Sequence, residues 1–171
     1  MKKLVIISLI VILTIFWKSI ESHIYPNFYH TYQSDDIIEF DLNGDMREYL
    51  LHIPKNIQPN APLVFVLHGL GETSTRIRKY SGMNDVADKY GFVVCYPQGS
   101  PSTERTIYTT KGTYFWNVGY EIHKNETVDD IYFLKSLANY LQKKYNLNSE
   151  RTFCAGMSNG GDMNYLLGCE A

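Results

Sequence analysis

Apolar positions fall into two kinds of run. Residues 62–67, Pro-Leu-Val-Phe-Val-Leu, and residues 92–96, Phe-Val-Val-Cys-Tyr, are continuous apolar stretches bounded by Pro and Gly. Short runs of this kind predict strands buried on both faces, as in a parallel sheet. Thr152-Phe153-Cys154 is a third, shorter one. Between them the period lengthens. Met83, Val86, Ala87 and Tyr90 recur at helical spacing, which predicts a helix over residues 75–90 closed by Gly91. Ile131, Phe133, Leu134, Leu137 and Leu141 predict another, opening at Thr127. Ahead of these, strand-like residues 37–42 and 47–53 flank Asn43-Gly44, a pair that favours the positive φ of a hairpin turn. Two opening strands followed by β-α-β-α-β predict an α/β layer fold around a mostly parallel sheet.

The N-terminus follows a different pattern. Met1-Lys2-Lys3 precedes an apolar run over residues 4–17, interrupted only by Ser8 and Thr14. The run is shorter than the ~20 residues of a membrane-spanning helix and matches the apolar core of a secretory signal. Only Ser19 and Ser22 offer small residues for cleavage, so an uncleaved signal anchor is the alternative. Residues 1–22 are therefore set apart as signal peptide or signal anchor. Residues 23–36 read as a linker, and residues 37–171 as the folded domain. The expected location is secreted, or the outer face of a membrane to which only this segment would bind.

Composition narrows the picture modestly. A chain of 171 residues implies one domain. A net charge of −2 argues against nucleic acid as a partner. The three cysteines show no C-x-x-C spacing, so no metal site is expected. Cys95 and Cys154 read as buried small hydrophobes, and Cys169 as a thiol free to pair elsewhere. Fourteen tyrosines suit carbohydrate or aromatic-ester sites, but also occur on surfaces without ligand.

The chemistry concentrates at Gly156-Met157-Ser158-Asn159-Gly160, between a strand-like run and a helical one. This is the G-x-S-x-G pattern of a nucleophile elbow, in which a serine sits on a strained strand-to-helix turn. Small neighbours let strand and helix approach, and the helix start favours developing negative charge. The bland alternative is a Gly-rich turn with an exposed serine. His68-Gly69-Leu70-Gly71 follows the strand-like run 62–67, where α/β-hydrolases place one oxyanion-hole N–H. The backbone N–H groups of Leu70 and Asn159 are the candidate donors. The His68 side chain reads as a brace for the loop rather than a catalytic group. Trp116 and Asn117, in the long loop over residues 100–126, read either as a wall of a substrate cleft or as packing. Asp129 and Asp130 read as helix-start carboxylates rather than a catalytic pair.

Several segments occur together in order: Arg47-x-Tyr49-x-Leu51-x-x-Pro54, then Pro62-Leu-Val-x-x-Leu-His68-Gly69. Gly91-Phe-x-Val-x-Tyr96-Pro97-Gln98-Gly99 and Trp116-Asn117 follow. Val128-Asp129-Asp130-x-x-Phe133-Leu134 and Gly156-Met-Ser158-Asn-Gly160-Gly161-x-Met163 complete the set. Over residues 37–171 the chain resembles the secreted polyhydroxybutyrate depolymerase and feruloyl/acetylxylan esterase family. The resemblance implies an α/β-hydrolase three-layer sandwich and a nucleophilic Ser158. It also implies an oxyanion hole at Leu70 and Asn159, and ester hydrolysis without a cofactor. The expected substrates are carboxylic esters, polymeric or attached to polysaccharide.

The catalytic order in this fold runs serine, acid, histidine. The residues after Ser158 include Asp162 and Glu170 but no histidine. His23, His30, His52, His68 and His123 all precede it. The expectation is that the sequence is the N-terminal part of a longer hydrolase, incomplete after the nucleophile helix. The competing expectation is a catalytically inactive remnant or binding module, and a peptidase on the same fold is a third.

Overall fold

The computed structural model describes residues 37–170. The N-terminal segment 1–22, the linker and Ala171 lie outside the described residues.

The hairpin forms as its sequence dictates. β1 (Ile38–Leu42) and β2 (Asp45–His52) pair antiparallel across Asn43 and Gly44, whose φ values are 56° and 91°. β3 (Leu63–Leu67) and β4 (Val93–Pro97) come from the two continuous apolar runs. β7 (Thr152–Gly156) is the third. The sheet order is β1-β2-β4-β3-β7. Only β2 runs against the other strands, so the sheet is mostly parallel.

Alternate residues of the central strands serve opposite faces, as a period of two requires. Leu63, Phe65, Leu67, Val93 and Cys95 pack against Phe133, Leu134, Leu137 and Leu141 of α3 (Asp130–Tyr145). Met163 of α4 (Asn159–Glu170) joins them. Val64, Val66, Val94 and Tyr96 pack on the other face against Ile77 of α1 (Ser74–Ser81) and Ala87 of α2 (Met83–Tyr90). Helices on both faces make the three layers of an α/β-hydrolase. Each fully buried Leu or Phe contributes about 1.5–3 kcal/mol to holding them together.

The helix predicted over residues 75–90 is two helices. Gly82, at φ 60°, ends α1 in the left-handed region and starts α2 in a new direction. α3 begins at Asp130 rather than Thr127, because the Asp129 side chain accepts from the Tyr132 N–H at 2.8 Å and caps the end. The long loop contains a two-stranded ribbon, β5 (Ser100–Pro101) with β6 (Tyr114–Phe115), and a short 3₁₀ turn over Glu121–His123. No helix among the described residues is long and apolar enough to cross a membrane.

Candidate active site

Three loops leave the C-terminal ends of the parallel strands β3, β4 and β7, where open α/β sheets place their ligands. They carry His68 to Gly71, Gln98-Gly99, and Met157-Ser158.

Ser158 joins β7 to α4 at φ 51°. The other described side-chain-bearing residues with positive φ are Asn43, Asn60 and Asn146, asparagine being the type that tolerates it best. A serine held there costs of order 1–3 kcal/mol, which the surroundings must supply. They do so by close approach. A Cβ on Gly156 would lie 2.4 Å from the Gly160 carbonyl oxygen, and one on Gly160 would lie 2.5 Å from that of His68. Glycine is required at both positions. The Met157 N–H donates to the Leu67 carbonyl at 3.1 Å, and the Asp162 N–H to that of Ser158 at 3.0 Å. Ser158 is thereby exposed at the start of α4, where a helix favours negative charge.

The β3 loop passes beside it. A Cβ on Gly69 would sit 3.6 Å from that of Ser158. Gly69 to Glu72 is a tight turn: the Glu72 N–H donates to the Gly69 carbonyl at 3.1 Å, and Gly71 takes φ 74°. His68 is fully buried beneath the turn. Its Nδ1 lies 2.8 Å from the Gly69 carbonyl oxygen. Its Nε2 lies 2.9 Å from both the Gln98 side-chain nitrogen and the Gly99 backbone nitrogen. Burial pushes the imidazole down to about 4, so it is neutral at ordinary pH.

Trp116 and Asn117 are tied into the same structure. Trp116 is fully buried, its indole N–H donating to the His68 carbonyl at 2.9 Å. The Asn159 side chain clasps its backbone, accepting from the Trp116 N–H at 2.7 Å and donating to the Trp116 carbonyl at 3.0 Å. Asn117 donates from its side chain to the carbonyls of Glu126 and Val128. Of the two roles open for Trp116, its burial favours packing. Through its ring and its backbone respectively, Trp116 joins the His68 carbonyl at the start of the β3 loop to Asn159, the residue after Ser158.

A family model described as Esterase PHB depolymerase matches residues 47–170, well over half of the chain. The chain belongs to the PHB depolymerase esterase family. It is 27% identical over 122 residues to a bifunctional acetylxylan esterase/xylanase of Neocallimastix patriciarum, covering 71% of this chain and 16% of that protein. It is 25% identical over 117 residues to feruloyl esterase B of Neurospora crassa, covering 68% and 37%. The chain thus spans less than half the length of these relatives. Among solved structures, an S-formylglutathione hydrolase from Agrobacterium tumefaciens superposes with a TM-score of 0.63 at 17% identity, covering 78% of this chain and 52% of that one. At that identity the likeness concerns the fold.

Within this esterase-family domain, sequence reasoning passed over a buried ion pair. Arg47 on β2 donates to Asp130 at 2.7 Å, and its guanidinium lies 3.9 Å from the Phe133 ring centre. The second Asp130 oxygen accepts from the Asn117 N–H at 2.7 Å. Burial raises the Asp130 carboxyl above its ordinary value, with Arg47 and the Asn117 N–H pulling against it. Asp130 therefore pins α3 to β2 and to the Trp116 loop, which a reading as a helix-start carboxylate does not convey. Its signal was the acidic doublet: Asp129 alone suffices for the cap, so Asp130 was spare.

The described histidines are placed elsewhere. His52 bonds Asp88 at 2.8 Å, and His123 is buried with its ring 4.1 Å from that of Phe115. Among the described residues no hydrogen bond joins a histidine to Ser158. Asp162, one helical turn past Ser158, accepts a hydrogen bond from Tyr120.

Proposed function

We propose that the protein is a serine esterase, acting on carboxylic esters through an acyl-enzyme. Ser158 Oγ attacks the ester carbonyl. The N–H groups of Leu70 and Asn159 receive the oxyanion, and water then releases the acid. Two such donors contribute roughly 2.7–4 kcal/mol each to the transition state. The proton passes to a histidine that the described residues do not place, and no cofactor is needed. The substrates inferred from the family are polyhydroxyalkanoate-type or feruloyl- and acetyl-polysaccharide esters. The apolar N-terminal segment supports a secreted or membrane-anchored location. The observation that carries this reading is the left-handed Ser158, exposed at the start of α4 and beside the Gly69–Leu70 turn.

The test is labelling with a fluorophosphonate probe. The expected result is one adduct, mapped to Ser158 and lost in Ser158→Ala, with ester turnover falling by about a thousandfold or more. Labelling that survives the substitution removes Ser158 from the mechanism. The placement of the described histidines favours a second reading, a non-catalytic binding module. That reading requires the absence of any adduct.

A further inference from the structure

We infer that His68 is a positioning residue: its Nδ1–H fixes the Gly69–Leu70 peptide so that the Leu70 N–H faces Ser158. The inference rests on the reading of Leu70 as an oxyanion donor and supplies the part that holds it.

The tautomer follows from the partners. The Ser74 N–H donates to Gln98 Oε1 at 2.9 Å, which fixes the Gln98 amide with its NH₂ toward His68. The Gly99 N–H can only donate. Both converge on His68 Nε2, so that atom must supply the lone pair. The proton is then on Nδ1, and it is donated to the Gly69 carbonyl at 2.8 Å. That carbonyl and the Leu70 N–H belong to one planar trans peptide and point in opposite directions. Holding the oxygen toward the interior turns the N–H outward. The turn bond from Glu72 constrains the same oxygen, and the two bonds together oppose a peptide flip. Donation to a carbonyl also polarises its peptide and strengthens the N–H as a donor. A protonated ring would have no lone pair for Gly99 and Gln98, and burial disfavours it. Gly99 permits the close approach, since a Cβ there would lie 3.2 Å from the imidazole Cε1 and 2.3 Å from the Phe115 carbonyl oxygen.

Two substitutions separate this lock from simple bracing. In His68→Asn the amide nitrogen falls near the position of Nδ1 and can still donate to Gly69. In His68→Gln the amide falls near the position of Nε2, where it can brace Gly99 and Gln98 but not Gly69. The lock requires that Asn retain Ser158 labelling within about tenfold, while Gln loses about a hundredfold, the scale of one oxyanion donor. Equal effects, or better retention by Gln, overturn it. Nitrogen-15 NMR of the wild-type chain gives a second reading that needs no activity or substitution. His68 protonated on Nδ1 alone between pH 6 and 8 supports the inference, and protonation on Nε2 overturns it. If the wild-type chain takes no label, the serine-esterase reading fails for this chain while the tautomer still judges the lock.

Discussion

The two flanks of β7 are built on opposite terms. Inboard, toward β3 and β4, polar groups are buried in pairs: His68 with Gly69, Gln98 and Gly99, Trp116 with Asn159, Arg47 with Asp130. Outboard, β7 pairs with no further strand among the described residues, and Phe153 on β7 and Tyr165 on α4 stand 55% and 81% exposed. β1, at the other edge of the sheet, turns Glu39 and Asp41 to solvent while Phe40 packs on Phe133 and Tyr140. Charges of that kind are how natural sheets guard an edge. β7, Thr-Phe-Cys-Ala-Gly, has none. Among the described residues the buried polar pairs therefore cluster on the inboard side of the site, and the outboard flank exposes apolar side chains. The inboard network is where single substitutions should cost most.

The largest effect is expected at Asp130. Removing it as Asp130→Ala leaves Arg47 charged, 5% exposed and without its main partner. Breaking a buried pair in this way costs about 3–5 kcal/mol. Chemical denaturation of the variant should show a loss of that size. Replacing both partners with apolar residues should recover most of it, because the lone charge is then gone. A loss under about 1 kcal/mol for Asp130→Ala would show that the pair does not hold α3 to β2.

Most of the architecture could be read from apolar spacing, because β3, β4 and α3 each carry a long run with one period. The elbow was equally legible, since close approach at Gly156 and Gly160 leaves no other residue type possible. The long loop was not. Its fold depends on Asn159 matching the backbone of Trp116 from 43 positions away, and on Ser102 and Thr103 meeting the Glu126 carboxylate. Such pairings leave no periodic trace. The helix break at Gly82 is illegible for the opposite reason: the periodic positions Met83, Val86, Ala87 and Tyr90 all lie beyond it, and only the left-handed glycine divides them from the turns that precede it.

A smaller but more specific effect comes from acid. The folded His68 titrates near 4 and the unfolded one near 6.5, so the unfolded chain takes up a proton that the native state refuses. Stability is full above pH 6.5 and falls as pH drops toward 4, by about 3 kcal/mol in all at this site. His123, also lowered by burial, acts in the same direction. Melting curves at pH 7, 5.5 and 4.5 should show this slope, and His68→Asn should flatten it. An unchanged slope in the variant would mean that other groups carry the acid sensitivity.

The smallest effect on stability, and the sharpest probe of the outboard flank, is Phe153→Lys. Phe153 lies beside Val64 in register, on the sheet face that α1 and α2 cover elsewhere, yet more than half of it is open to water. Little burial is lost on replacing it, so the folding free energy should change by no more than about 0.5 kcal/mol. A lysine places a charge on the open edge, and a second chain would have to desolvate that charge to add a strand there. Light scattering across a concentration series should therefore show less self-association than in the wild type, at nearly the same melting temperature. The matched substitution Glu39→Lys on β1 should leave association unchanged, because that edge already carries charge. Equal association of Phe153→Lys and wild type would show that β7 is no more adhesive than β1, and the contrast between the two edges would lose its physical meaning.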